Sequence, residues 1–170
     1  MFKVRRSYLS FLMSLDIPSI QQIDGSGLRF AIIASRYNEA LVDSLVQHAS
    51  ATLTAAGAEA PLIERVPGAA ELPFAASTVA QHSQFDAIIV IGVVIAGDTN
   101  HHEIIGDSTA TALLNVSIAQ KVPVINGILV VNHLAQAEAR AGTTINRGKE
   151  FAQAALEMAQ FTHKWKTTNQ

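Results

Sequence analysis

The run Ala87–Gly97, AIIVIGVVIAG, is apolar and largely β-branched, with Gly92 as its one interruption. β-Branched side chains suit a pleated surface and lose rotamer freedom in a helix. A strand with apolar residues on both alternating faces has to be covered on both sides, which is the situation of an interior strand in a parallel sheet. The run is also well short of the roughly 18–20 residues that span a bilayer. It therefore predicts a buried strand over Ala87–Ile95, opened by Asp86.

The rest of the chain alternates around that strand. Leu28–Ala34 reads as a strand, and Glu39–Ala56 as a helix with Leu41, Val42, Leu45, Val46, Ala49, Leu53 and Ala56 at helical spacing, stopped by Gly57. Leu62–Val66 is a second strand, Pro67 and Gly68 break the chain, and Pro73 suits the first turn of a helix continuing over Phe74–His82. After Ile95, a polar loop at Ala96–Asn100 leads into a helix from His101 to Gln120. Pro123 precedes a strand at Val124–Val131, and helices at Leu134–Ala141 and Gly148–Phe161 follow, joined by the loop Gly142–Arg147.

Strands alternating with helices predict βαβ units, so the expected fold class is α/β, a three-layer αβα sandwich on a four-stranded parallel sheet. Gln21–Ser26 is a candidate extra edge strand that adds to a neighbour's sheet. Residues 20–163 read as one domain, with 1–19 as an N-terminal extension and 164–170 as a tail. In the extension, Lys3, Arg5 and Arg6 precede the apolar stretch Tyr8–Leu15, as in a secretory signal. That stretch is short, however, Ser10 and Ser14 interrupt it, and Asp16, Ile17 and Pro18 stand where a small-residue cleavage site belongs. A dispensable extension, an interface arm and a targeting segment are the three readings.

Charged residues are 15% of the chain and hydrophobic ones 49%, against roughly 25% charged in an average domain. That leaves more apolar surface than a monomer of 170 residues hides, which predicts a homo-oligomer. A net charge of −2 without a basic stripe disfavours nucleic acid. With zero cysteines there are no disulfides, thiolate metal sites or thiol nucleophiles, a composition compatible with the expected cytoplasmic location.

Parallel sheets bind ligands outside the carboxyl ends of their strands. That rule selects Ser35–Asn38, Pro67–Glu71, Ala96–His102 and Asn126–His133. The loop Gly97-Asp98-Thr99-Asn100-His101 presents helix-terminal N–H groups suited to a phosphate, or is an ordinary N-cap by Asp98, Thr99 or Asn100. His101 suits proton transfer near neutrality. His102 points about 100° away from it on a helix, toward solvent or an interface. A metal site from His101, His102, Glu103 and His133 matches no familiar ligand spacing. Arg140 and Arg147 are candidate anion ligands or surface ion-pair partners. Glu71 is either an acceptor for ligand hydroxyls or a favourable charge at a helix N-terminus.

Four segments carry a resemblance to a known family. They are Ser35-Arg36-Tyr37-Asn38, Val66-Pro67-Gly68-Ala69-Ala70-Glu71-Leu72-Pro73, Gly92-Val93-Val94-Ile95-Ala96-Gly97-Asp98-Thr99-Asn100-His101 and Ala139-Arg140-Ala141-Gly142-Thr143. In this order the chain resembles the 6,7-dimethyl-8-ribityllumazine synthases over roughly Leu28–Gln160. The resemblance implies a flavodoxin-like fold and the condensation of 5-amino-6-(D-ribitylamino)uracil with 3,4-dihydroxy-2-butanone 4-phosphate, without metal or cofactor. It further implies that Tyr37 and Asn38 meet the pyrimidine, that Ala69, Ala70 and Glu71 line the ribityl chain, and that Val93, Val94 and Ile95 offer backbone groups. Gly97, Asp98, Thr99 and Arg140 would take the phosphate, with the Asp98 carboxylate turned away, and His101 would move protons. Asn126 and Arg140 would come from a neighbouring subunit of a pentamer or pentamer-based assembly, with Arg147 as a further site residue.

Some positions depart from the family's pattern. Ala70 and Asn126 stand where aromatics are usual, Ala96 replaces a frequent arginine, Arg147 stands for lysine, and the last loop is one residue shorter. Two lost apolar walls are worth about 1–3 kcal/mol in total. These departures leave a non-catalytic paralogue that binds lumazines or flavins as the alternative. A flavodoxin-like electron carrier is a third reading, and a receiver-type regulator is disfavoured because Ala34-Ser35-Arg36 has no acidic cluster.

Overall fold

A computed structural model describes residues 23–82 and 84–167. Its elements are β1 (Phe30–Ser35), α1 (Glu39–Ala55), β2 (Leu62–Val66), a single 3-10 turn at Ala69–Glu71, α2 (Leu72–His82), β3 (Ala87–Ile95), α3 (His101–Gln120), β4 (Val124–Val131), α4 (Leu134–Ala141) and α5 (Arg147–Thr167). The sheet has four strands in the order β2-β1-β3-β4, and all three pairings are parallel. This is the three-layer α/β arrangement expected from the sequence.

The period of two along the strands sorts the core into two layers. Phe30, Ile32 and Ala34 of β1 and Ala87, Ile89, Ile91 and Val93 of β3 pack with the buried faces of α1, α4 and α5. Ala31, Ile33, Ile88 and Val90 point the other way, onto Leu72 and Ala76 of α2 and Leu113 of α3. Ile88, Ile89, Val90 and Ile91 are fully buried, each contributing about 1.5–3 kcal/mol.

Several boundaries differ from the sequence expectation. β1 begins at Phe30 rather than Leu28, because Arg29 is tied at the strand's foot by its N–H to Asp86 Oδ2 (2.7 Å). The break after Pro67 contains the 3-10 turn, which delivers the chain directly into α2 at Leu72. α5 starts at Arg147 and runs on to Thr167, six residues past Phe161, since no glycine or proline stops it there. Of the candidate edge strand Gln21–Ser26, residues 21 and 22 lie outside the described residues, and 23–26 form no strand within this chain. The 1–19 extension lies outside them as well.

Gly57 ends α1 at φ 90°, the left-handed conformation that glycine adopts without a Cβ penalty, and the next N–H, of Ala58, reaches back to Leu53 O (3.2 Å). Gly148, in the first turn of α5, lies against α1. A Cβ there would come within 2.4 Å of Leu45 O and 2.9 Å of His48 Cβ. Alanine is about 1 kcal/mol the better helix former, but a clash with a backbone carbonyl forces the two helices apart. Gly148→Ala is therefore expected to lower stability by about 1–3 kcal/mol, read as a lower urea midpoint with an unchanged m-value. An unchanged or raised midpoint would show that α1 and α5 separate without cost.

Candidate functional site

The strand order places a switch point between β1 and β3, since the connection leaving β1 runs outward to β2 and the one leaving β3 runs the opposite way to β4. Ligand crevices form at such points, outside the carboxyl ends of the strands. A cavity of about 430 Å³ lies here, lined by Tyr37, Asn38, Gly68, Ala69, Ala70, Glu71, Val93, Val94, Ile95, His101 and Ile105.

One wall is the upper end of β3. The β1–β3 pairing ends at Ala34↔Ile91, whereas β4 stays paired with β3 up to Ile95↔Val131. Among the described residues, Val93–Ile95 therefore keep an edge without a strand partner on the side that β1 has left. Asn38 takes one acceptor on that edge, donating from Nδ2 to Val93 O at 2.8 Å. Its backbone is left-handed (φ 55°, ψ 46°), a conformation asparagine tolerates better than most residues. Its carbonyl accepts the N–H groups of Leu41 (3.0 Å) and Val42 (3.1 Å) at the start of α1. Tyr37, just before this turn, is 72% exposed at the cavity mouth.

The facing wall is the turn after Pro67. Glu71 Oε2 accepts the Gly68 N–H at 2.8 Å, which folds the carboxylate back over the turn. A Cβ at Gly68 would lie 3.1 Å from that oxygen and 3.4 Å from Tyr37 Cδ2, close enough that the carboxylate would have to give way slightly. The third wall is α3, where His101 and Ile105 stand one turn apart on the same face.

Nine sequence-selected residues meet at this cavity: Tyr37, Asn38, Ala69, Ala70, Glu71, Val93, Val94, Ile95 and His101. Gly68, inside the selected Pro67–Glu71 segment but given no role of its own, lines it too, as does Ile105, which no selected segment contains. The i, i+4 spacing from His101 would have found Ile105. Gly97, Asp98 and Thr99 adjoin the cavity in the exposed loop between β3 and α3, outside its lining. Asn100 caps α3 only through its carbonyl, which accepts Glu103 N–H (3.1 Å) and Ile104 N–H (3.2 Å). The Asn100 side chain makes no capping bond.

Three candidates stand apart from this chain's own cavity. Asn126 is exposed in β4, level with Val90, and its Oδ1 accepts Ile128 N–H at 3.0 Å. Arg140, in the last turn of α4, donates from Nη1 to Gln136 O at 3.0 Å. Arg147 opens α5 and pairs with Glu150. Among the described residues, no group of three or more histidine, aspartate or glutamate side chains is arranged to hold a metal ion. No helix among them is long and apolar enough to cross a membrane.

Known proteins are similar to this chain over most of its length. A family profile described as 6,7-dimethyl-8-ribityllumazine synthase matches residues 27–163. A relative of that name from Xanthomonas euvesicatoria is 49% identical over 133 residues, covering 76% of this chain and 86% of the relative. One from Stenotrophomonas maltophilia is 47% identical over the same shares, and one from Xylella fastidiosa is 42% identical over 142 residues, covering 82% and 92%. With its parallel sheet, its crevice at the switch point and this similarity, the chain belongs to the 6,7-dimethyl-8-ribityllumazine synthase family.

Proposed function

We propose that the protein condenses 5-amino-6-(D-ribitylamino)uracil with 3,4-dihydroxy-2-butanone 4-phosphate to give 6,7-dimethyl-8-ribityllumazine, phosphate and two molecules of water. The observation that carries this reading is a single cavity in which an aromatic ring, an acceptor carboxylate, an unpaired strand edge and an imidazole converge, from Tyr37, Glu71, Val93–Ile95 and His101.

Tyr37 stacks on the pyrimidine, for which its exposed ring at the mouth is suited. The edge of Val93–Ile95 offers backbone groups to the uracil, and Asn38 holds that edge against the turn into α1. Ala69, Ala70 and Glu71 line the ribityl chain. Glu71 Oε2 is engaged by Gly68, which leaves Oε1 to accept ligand hydroxyls. Gly97, Asp98 and Thr99 hold the phosphate through loop N–H groups and the threonine hydroxyl, with the Asp98 carboxylate turned away. Asn126 and Arg140 act across a subunit boundary, and Arg147 is a further site residue.

The 5-amino nitrogen adds to the butanone carbonyl, and loss of water gives an imine. Elimination expels phosphate with the electrons of its C–O bond, tautomerisation restores a carbonyl, and the ribityl-bearing nitrogen adds to it. Loss of a second water closes the ring. Every step is redox-neutral and moves protons, and His101 carries them between the adding amine and the leaving hydroxyl. Holding two substrates in register contributes up to roughly 7–11 kcal/mol.

The working form is a pentamer or pentamer-based assembly in the cytoplasm, with sites between subunits. In support, Phe74 is 80%, Ile118 76% and Leu114 64% exposed in the single chain, an apolar surface that a second copy would cover.

Mixing protein with both substrates is expected to produce lumazine absorbance and stoichiometric phosphate above the uncatalysed rate. Background rate alone, from folded and assembled protein, would refute the synthase reading. His101→Ala should lower kcat by up to about 100-fold, and wild-type turnover in that variant would remove His101 from the proton path. Glu71→Ala should raise KM for the ribityl substrate by about tenfold. Glu71→Gln should raise it less, because its amide oxygen still accepts the Gly68 N–H, and equal KM values for the two variants would contradict that role. Light scattering should give a mass several times that of one chain.

A further inference from the structure

His101 and His102 follow one another in the first turn of α3, and their rings do different things. His101 lines the cavity. His102 is half-buried, does not line it, and sets its Nδ1 3.1 Å from the backbone carbonyl oxygen of Thr99. A carbonyl only accepts, so this nitrogen carries the proton. The neutral ring is thereby set in the Nδ1–H tautomer, and a doubly protonated ring keeps the same bond.

Thr99 is held from its other side as well, since its Oγ1 accepts the His101 N–H at 3.4 Å. Among the described residues these two bonds are the only side-chain hydrogen bonds of the loop Gly97–Asn100. A Cβ added at Gly97 would meet nothing within 4 Å, so packing does not fix the loop there. In a trans peptide the C=O and the following N–H point in opposite directions. A ring that engages the Thr99 carbonyl therefore turns the Asn100 N–H away from itself and keeps the carbonyl's negative end committed.

We infer that His102 is a positioning residue: its ring latches the Thr99 peptide and so preforms the loop for the phosphate of the second substrate, while its neighbour His101 handles protons. This rests on the functional reading above, in which that loop takes the phosphate. It assigns the adjacent histidines separable effects, on phosphate affinity for His102 and on turnover for His101.

The test uses the full chain as wild type, His102→Ala and His102→Asn, since the asparagine Nδ2 stands where the imidazole Nδ1 does. Two quantities are read: inorganic phosphate affinity by titration calorimetry, and steady-state kinetics with both substrates. Loss of one neutral hydrogen bond corresponds to about fivefold. In His102→Ala, phosphate affinity should fall and KM for the phosphorylated substrate should rise by about that factor, with kcat and the KM for the uracil substrate within about twofold of wild type. His102→Asn should recover most of the loss. Unchanged phosphate affinity in His102→Ala overturns the inference, as does equal impairment of the two variants, or no phosphate binding by the wild type. A latch-dependent phosphate affinity in a wild type that forms no lumazine would uphold the latch and sink the synthase reading instead.

Discussion

Up to Ile91, β3 is enclosed on both edges by backbone and on both faces by side chains, and the rest of the molecule is disposed around that enclosure. Its lower residues pair with β1, from Phe30↔Ala87 to Ala34↔Ile91, while β4 follows it along its other edge to Ile95↔Val131. Its alternating side chains bury themselves under two separate helical layers. An apolar strand of this kind leaves its neighbours little choice: β1 and β4 have to run parallel to it, and helices have to cross above and below it to keep water from either face.

The site exists because the two neighbours leave β3 at different heights. β1 turns away first, through Arg36, Tyr37 and the left-handed Asn38, and opens a short stretch of strand edge to a ligand. An open edge is usually a liability for unwanted pairing. Here it is short and recessed beside Gly68–Glu71 and α3, and one of its carbonyls is already occupied by the Asn38 amide. Rigid strands thus carry the backbone groups, and the loops that leave them carry Tyr37, Glu71 and His101, the division of labour expected of a site on an α/β scaffold.

Much of this was legible in advance because it depends on local periodicity. The bounds of β2, β3, α3, β4 and α4 agree with the sequence reading, since each is marked by a change of hydrophobic period or by a proline, glycine or polar loop at its end. The errors fell where such marks were weak. The last helix has neither glycine nor proline after Phe161, and the 3-10 turn at Ala69–Glu71 is too short for any period to register. Carboxyl-end placement picked out Tyr37, Asn38, Gly68, Ala69, Ala70, Glu71 and His101, and the family resemblance added Val93–Ile95; neither singled out Ile105, which reads as ordinary core. The bond from the His102 ring to the Thr99 carbonyl was not legible either, being a choice of rotamer that residue order does not express.

The order of strands and helices, the burial of Ala87–Ile95 and the segments able to carry chemistry all follow from the identity of nearby residues, because hydrophobic period, capping and turn formation act over a few positions. The place of β1 between β2 and β3, the four-residue overhang of β3 and the Asn38 amide on Val93, 55 positions away, do not. They are settled only when distant segments compete for the same edges and faces, and it is that packing which turns separate motifs into one cavity.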